Sequence, residues 1–209
     1  MFKKRIDRLA GYPSTIENAI SELVGFAIFN KGRIIYKIEK SILVGNGFTC
    51  KICLTNIKQD ALLIEGIRSS KKEGFSTYIH DSCFQHLVCS SFNKLTNDFL
   101  RFDIEFLLEL YPKFVINALF RVMGYFIMED PSFKIITVYS DSEECFCKKE
   151  EKIVILFSSK GKFLINRFHR ECLTKRVQKQ FFKLISHLIK FKHQKLEFRT
   201  NELLPEDFI

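Results

Sequence analysis

Apolar residues recur at intervals of three and four positions in two separate stretches, 17–28 and 116–127. This spacing is typical of an amphipathic helix. In both stretches an Asn-Ala pair, further aliphatic residues, a glycine and an aromatic residue follow one another in the same order. A run rich in β-branched residues comes after each stretch, at 33–38 and at 134–139, and predicts a strand. Two helix–strand units with similar sequences are therefore expected.

The similarity between the two units extends into their cysteines. Each predicted strand leads to a close cysteine pair, then to a stretch with hairpin character, and then to a His-x-x-Cys motif. Elements that occur twice in one order indicate an internal repeat. We expect an α+β fold of two tandem, internally repeated helix–strand–treble-clef zinc modules, residues 1–95 and 96–209. In the helical connector between them, Pro112 breaks one helix and begins the next.

The first module contains a set of four candidate metal ligands. They are Cys50, Cys53, His80 and Cys83. Cys-x-x-Cys places two sulfur atoms on a tight turn, and His-x-x-Cys places two more donors on one face of a helix's first turn. Four thiolate and imidazole ligands in a tetrahedron are the set that zinc prefers. His86 and Cys89 form another His-x-x-Cys two turns later, and we interpret them as a surface histidine and a buried thiol.

The second module offers a corresponding set. Its candidate ligands are Cys145, Cys147, His169 and Cys172, with Glu144 and Asp141 as alternatives. Cys-x-Cys is the less common spacing, but His169 and Cys172 stand in this module where His80 and Cys83 stand in the first. Both sets have four protein ligands and no open position, so we expect two structural Zn²⁺ ions that stabilise the modules.

Residues 50–84 resemble the zinc finger of the poly(ADP-ribose) polymerases and of the related DNA ligase. The likeness rests on Cys-Lys-Ile-Cys at 50–53 and Tyr-Ile-His-Asp-Ser-Cys-Phe at 78–84. It implies the same four ligands, an aromatic residue at Phe84, and recognition of nucleic-acid ends and breaks. Ile64 and Glu65 stand where that family tends to carry a basic residue. The second finger is similar to the C-terminal zinc module of vacuolar sorting proteins, on Lys148, Lys149 and the apolar run before His169.

Positive charge is concentrated near the end of the chain. The 209 residues are 46% hydrophobic, enough for a core, and carry a net charge of +9. Residues 159–199 alone contain twelve Lys or Arg and two acidic residues. After Cys172, apolar residues at helical spacing predict a buried stripe, and lysines occupy other faces. The candidate nucleic-acid contacts are Arg167, Arg170, Lys175, Arg176, Lys179, Lys183, Lys190, Lys192 and Lys195. A solvated lysine face is the alternative interpretation.

The sequence contains no Gly-rich phosphate loop, nucleophile elbow or paired-carboxylate motif, so we do not expect an enzyme. A basic protein with two fingers fits a factor that docks on structured RNA. The expected partner is the ribosome, with ribosomal RNA and ribosomal proteins, in a role of the dormancy or hibernation type. One alternative is a DNA-binding protein in transcription or repair, and another is a protein–protein adaptor in vesicle tethering.

The expected compartment follows from the apolar runs and the cysteines. No apolar stretch of signal-peptide length follows the basic N-terminus, and Arg121 interrupts the longest apolar run, 114–128. That run predicts a buried helix rather than a transmembrane segment. Seven cysteines in such a protein favour metal over disulfides. We expect a cytoplasmic location, or a nuclear one for the DNA-binding alternative.

Overall fold

The computed structural model describes residues 12–29, 34–41, 47–58, 61–68, 73–141, 152–190 and 195–198. Over these residues the chain is a mixed α+β protein with five helices and two small antiparallel sheets. The helices are α1 (Ser14–Phe29), α2 (Asp81–Phe99), α3 (Ile104–Leu110), α4 (Lys113–Met128) and α5 (Arg170–Lys190). The strands are β1 (Ile34–Ser41), β2 (Ala61–Arg68), β3 (Glu73–Ile79), β4 (Lys134–Asp141), β5 (Lys152–Ser159), β6 (Lys162–His169) and β7 (Lys195–Phe198).

The helices and strands expected from periodicity are confirmed as α1, α4, β1 and β4. Both α1 and α4 begin directly after a proline whose carbonyl oxygen accepts the first backbone bonds of the helix. Pro13 accepts from Ile16 N at 2.9 Å, and Pro112 accepts from Val115 N at 2.9 Å. The apolar run at 114–128 forms the buried helix α4. No helix in the part of the chain that the structure describes is both long and apolar enough to cross a membrane.

Each sheet is antiparallel and contains three consecutive strands, to which the first sheet adds β7. The first has the order β3-β2-β1-β7, and the second has the order β4-β5-β6. A two-residue turn joins β5 to β6, in which Lys160 and Gly161 both have positive φ, 45° and 77°. Two left-handed residues in succession define the type I′ turn, whose twist matches that of the strands. The order helix, three antiparallel strands, helix therefore occurs twice, as α1-β1-β2-β3-α2 and as α4-β4-β5-β6-α5.

Helix–helix contacts join the two halves of the chain. Helix α1 packs on α4, α2 packs on α5, and one continuous apolar cluster contains residues of both halves. Strand β7, which follows α5 in the sequence, pairs with β1 of the first sheet. Each half therefore contributes to the burial of the other.

Two ring contacts between α1 and α4 have matching geometry. Tyr12 meets Tyr125 edge to face, with centroids 5.9 Å apart and planes at 69°. Phe26 meets Tyr111 in the same manner, at 6.1 Å and 77°. Tyr12 and Tyr111 each precede the proline that starts a helix, and each touches an aromatic residue near the end of the other helix.

The apolar stripe expected after Cys172 is confirmed in α5. The buried residues are Leu173, Val177, Phe181, Leu184 and Leu188, together with Ile185 and Ile189. Because they recur every three or four positions, they lie on one side of the helix. On the opposite side of α5, Lys175, Lys179 and Lys183 are exposed to solvent.

Candidate metal centre

The first two candidate ligands lie on a tight turn that local hydrogen bonds hold in place. Cys50 N donates to Thr55 O at 2.9 Å, and Leu54 N donates to Cys50 O at 2.9 Å. Leu54 has a left-handed φ of 60°, which turns the chain back after the second cysteine. Lys51 N also donates to Tyr78 O at 3.1 Å, which attaches the turn to the end of β3. These bonds bring Cys50 and Cys53 next to the junction of β3 and α2.

The other two candidate ligands lie at that junction. His80 is the N-cap of α2, in extended conformation, and its carbonyl oxygen accepts from Phe84 N at 2.9 Å. Cys83 lies in the first turn of the same helix, so its side chain and that of His80 project to one side. Phe84, the next residue, is buried in the core and fixes the start of the helix. The strand-to-helix junction thus presents a nitrogen and a sulfur toward the cysteine turn.

The four side chains converge on one point. The metal-ligating atoms of Cys50, Cys53, His80 and Cys83 all lie within 4.8 Å of one another. His80 Nδ1 is 3.4 Å from Cys53 Sγ and 3.8 Å from Cys83 Sγ. Around a tetrahedral zinc ion, a sulfur and a nitrogen ligand would lie about 3.6 Å apart and two sulfurs about 3.8 Å. This group could therefore hold a metal ion such as zinc, and it contains the four residues predicted from the sequence.

The thiols of this group differ in acidity. The pKa of Cys53 falls to about 6, chiefly because the Thr55 side chain hydrogen-bonds to its sulfur at 3.0 Å. The pKa of Cys83 rises to about 11, first because the thiol is buried and then because it competes with Cys53 and Cys50 for the negative charge. A bound cation would favour the thiolate form of each cysteine. Thr55 was not predicted from the sequence as part of this site. The one sequence feature that points to it is a hydroxyl-bearing residue two positions after the Cys-x-x-Cys motif.

The acidity of Cys50 and His80 reflects a balance of burial and hydrogen bonding. Burial works to raise the pKa of Cys50, but backbone hydrogen bonds from Cys53, His80 and Ile52 outweigh it, so the pKa falls. Burial works to lower the pKa of His80, but hydrogen bonds to the neighbouring sulfurs outweigh it, so the pKa rises. Cys50 and Cys53 thus favour the negative sulfur that binds metal, whereas Cys83 favours the protonated thiol.

His86 and Cys89 lie outside this group. His86 is exposed on α2, and Cys89 is half-buried against the core. Burial raises the pKa of the Cys89 thiol to about 11. Over the described residues, neither belongs to a group of side chains that could hold a metal ion.

The second predicted set lies partly beyond the described residues. His169 is the last residue of β6, and Cys172 is an exposed residue in the first turn of α5. Cys145, Cys147 and the alternative ligand Glu144 are outside the described residues, and Asp141 is the last residue of β4. Within the described part of the chain, the only group that could hold a metal is the first one.

The candidate nucleic-acid contacts have different surroundings. Lys179 and Lys183 are exposed on α5, and Arg167 is exposed on β6. Lys175 pairs with Glu171, and Arg176 lies 3.3 Å from a carboxylate oxygen of Glu129. The remaining residues are Arg170, half-buried at the start of α5, Lys190 at the end of α5, Lys195 in β7, and Lys192, which is outside the described residues. Two cations of the predicted ridge are therefore partly neutralised by carboxylates.

Compared with known proteins, the chain matches no family model, no curated protein and no solved structure.

Proposed function

We propose that this chain is a zinc-stabilised, non-enzymatic protein that docks on structured RNA, most simply on the ribosome, through the exposed face of α5. The observation that carries the proposal is the pair Lys179 and Lys183, one turn apart and exposed on a helix whose other side is buried. A helix held in this way presents its charges at fixed positions, as phosphate contacts require. Arg167 is a further exposed cation, on the strand that leads into α5.

Zinc is the metal that fits the first group best. Three sulfurs and one imidazole nitrogen form a soft, four-membered set, which suits a tetrahedral zinc ion and leaves no position for a reacting water. The site lies between the cysteine turn and the first turn of α2, so the ion would join two segments that share few other bonds. A structural rather than catalytic metal follows from this placement.

A second zinc ion, bound by Cys145, Cys147, His169 and Cys172, is part of the proposal. Segment 42–60, which carries the first cysteine pair, leaves and re-enters its sheet at Ser41 and Ala61, paired in adjacent strands. Segment 142–151, which carries the second pair, leaves and re-enters at Asp141 and Lys152, also paired in adjacent strands. Lys152 pairs in turn with His169. Each segment that carries a cysteine pair thus begins and ends at the edge of its sheet where the histidine lies.

The paired ring contacts support descent of the two halves from one duplicated module. Tyr12 and Tyr111 occupy equivalent positions before the helices, and Phe26 and Tyr125 occupy equivalent positions within them. Tyr12 contacts Tyr125, and Phe26 contacts Tyr111. In both contacts, the tyrosine before one helix touches the aromatic residue at the equivalent position near the end of the other helix. This reciprocity is the mark of an isologous, two-fold interface. It supports two similar modules packed as a dimer within one chain.

The RNA proposal is tested with Lys179→Glu/Lys183→Glu against the control Lys58→Glu/Lys94→Glu, which changes the same charge at exposed positions elsewhere. The α5 variant should bind ribosomal RNA at least tenfold more weakly, and the slope of log K against log salt should become shallower by about 2. The control should bind as the unchanged protein does, and zinc content should be equal in all three. Equal losses in both variants would refute the α5 assignment. If the unchanged protein binds nicked duplex DNA more tightly than RNA, DNA rather than RNA is the ligand.

A protein–protein adaptor is the second candidate, and the outer face of the second sheet favours it. Tyr139, Phe163 and Ile165 are 56%, 62% and 66% exposed on this face, an apolar surface that commonly marks a docking site. Phe163→Ser/Ile165→Thr separates the two functions. If that variant loses co-sedimentation with ribosomes while its affinity for naked RNA is unchanged, the protein docks through a protein partner.

A further inference from the structure

A small basic cavity lies at the turn end of the second sheet, on the surface of the fold. It has a volume of about 230 Å³. Its walls come from α4, from the turn before β4, and from the end of the β5–β6 hairpin. The lining residues are Arg121, Pro131, Ser132, Phe133, Lys134, Ser158, Ser159 and Lys160. None of these belongs to the metal centre or to the proposed RNA-binding face of α5.

The charged residues of the cavity all have one sign. Arg121, Lys134 and Lys160 line it, and among the described residues no carboxylate does. One acidic residue, Asp130, interacts with a cation of the cavity: its pKa is lowered by hydrogen bonds from Ser132 and by the charge of Lys160. Asp130 Oδ1 accepts from Ser132 N at 2.8 Å and from Ser132 Oγ at 2.6 Å. That carboxylate stays ionised, but three cations against one anion leave the cavity with a net positive charge.

Three separate elements fix the positions of the cations. Gly124 lets α4 approach the chain before β4 so closely that an added Cβ would lie 2.7 Å from Phe133 O. Arg121 lies one turn earlier on α4 and lines the same cavity as Lys134. Lys134 pairs with Ser158 across β4 and β5, and the type I′ turn places Lys160 beside them. All three cations thus line one cavity from a helix, a strand and a tight turn.

We propose that this cavity is a binding site for a phosphoryl group. A guanidinium fork and two ammonium groups are the partners that phosphate oxygens prefer, and one hydroxyl of the adjacent Ser158 and Ser159 can donate to a remaining oxygen. The volume is below the ~300 Å³ at which pockets for drug-sized ligands begin, so it suits a phosphate rather than a whole nucleotide. In α1 the position equivalent to Arg121 is Glu22, so the first half lacks this constellation. The site does not depend on the proposed function of α5.

The probe is inorganic phosphate, added at constant ionic strength while the backbone amide signals of Ser132, Lys134 and Ser159 are followed by NMR. Saturable shifts confined to the cavity are expected. Arg121→Met and Lys134→Met should each weaken phosphate binding by about tenfold or more, because each removes a charge-assisted hydrogen bond. The matched control is Lys162→Met, which removes an exposed lysine two residues from Lys160 but outside the lining.

Two sources of the phosphoryl group are distinguished with the same variants. If Arg121→Met weakens RNA binding more than Lys162→Met does, the cavity holds a backbone phosphate of RNA; if only phosphate binding is lost, the ligand is free phosphate or a small phosphorylated molecule. The proposal is overturned if phosphate produces no saturable shift in the unchanged protein, or if Lys162→Met reduces phosphate affinity as much as Arg121→Met. Neither outcome affects the test of α5, which uses other residues.

Discussion

The rings of Phe92 and Phe181 stack face to face, with centroids 3.7 Å apart and planes only 7° from parallel. Phe92 stands twelve residues after His80, and Phe181 stands twelve residues after His169. When two similar modules pack around a two-fold axis, a residue of one module touches its equivalent in the other only at the axis itself. Gln85, before Phe92, hydrogen-bonds to Ser186, after Phe181, at 2.6 Å, so the two helices cross in opposite directions. This stack is consistent with the proposed duplication and couples the two halves.

The stack should account for a large part of the stability of the fold. Both rings are 1% exposed, so Phe92→Ala and Phe181→Ala should each lower the free energy of unfolding by about 3–5 kcal/mol. The double variant should cost less than the sum, because aromatic pairs contribute ~0.5–1.5 kcal/mol beyond area burial. Urea unfolding measures this, with the exposed Phe182→Ala as the control. Strictly additive losses would contradict a direct coupling of the halves.

Tyr111 should make the free energy of unfolding decrease as the pH rises in the alkaline range. Its hydroxyl donates to Asp98 Oδ2 at 2.5 Å, and burial followed by the nearby carboxylate raises its pKa. The folded state thus keeps the proton that an unfolded chain loses near pH 10, so this contribution is fully present below about pH 10 and is lost as the pH rises. Tyr111→Phe should cost about 1–3 kcal/mol at neutral pH and weaken the decline above pH 10. The exposed Tyr139→Phe should change neither quantity.

Gly124 should tolerate alanine poorly, although alanine is normally favoured over glycine in a helix by about 1 kcal/mol. The added methyl group would meet backbone atoms, Phe133 O at 2.7 Å and Lys134 Cα at 3.0 Å, which cannot rotate away. Gly124→Ala should therefore lower the midpoint of thermal unfolding, whereas Asn117→Ala on the exposed side of α4 should not. If Gly124→Ala instead raises the midpoint of thermal unfolding, α4 and β4 can move apart without a cost in free energy.

The sequence predicted those features that depend on local spacing. The periodicity of 116–127 located α4, and the spacing of Cys50, Cys53, His80 and Cys83 located the group that could hold a metal. A 3.6-residue period and a ligand spacing are both properties of a short segment, so they can be read without knowing what packs on it.

Features that depend on contacts between distant segments were not predicted. The pairing of β7 with β1 and the packing of α2 on α5 involve residues far apart in the chain. Neither has a local signal, because strand pairing and helix packing are decided by the whole core. The Tyr-Pro pair before α1 and before α4 was a visible sign of the equivalence, but its meaning comes only from the ring contacts of Tyr12 and Tyr111.

Metal content provides the most direct test of the two proposed zinc sites. The purified protein should contain two zinc ions per chain, and removal with a strong chelator should unfold it, since structural zinc contributes ~10–16 kcal/mol in small domains whose net stability is about 5–15 kcal/mol. The Cys83→Ser variant should retain only the ion of the second site, and the Cys172→Ser variant should retain only the ion of the first site. Cys89→Ser, which changes a half-buried thiol on the same helix as Cys83, should retain both.

These stoichiometries separate the two sites from each other and from general unfolding. If Cys172→Ser keeps the full complement of zinc, the second site does not use the thiol at the start of α5, and the equivalence of His169-x-x-Cys172 to His80-x-x-Cys83 fails. If Cys83→Ser loses both ions at once, the variant has unfolded, and the milder Thr55→Val then tests the first site. Removing the Thr55 hydroxyl should weaken zinc binding at the first site through Cys53, whose sulfur it contacts at 3.0 Å, while the second ion stays bound.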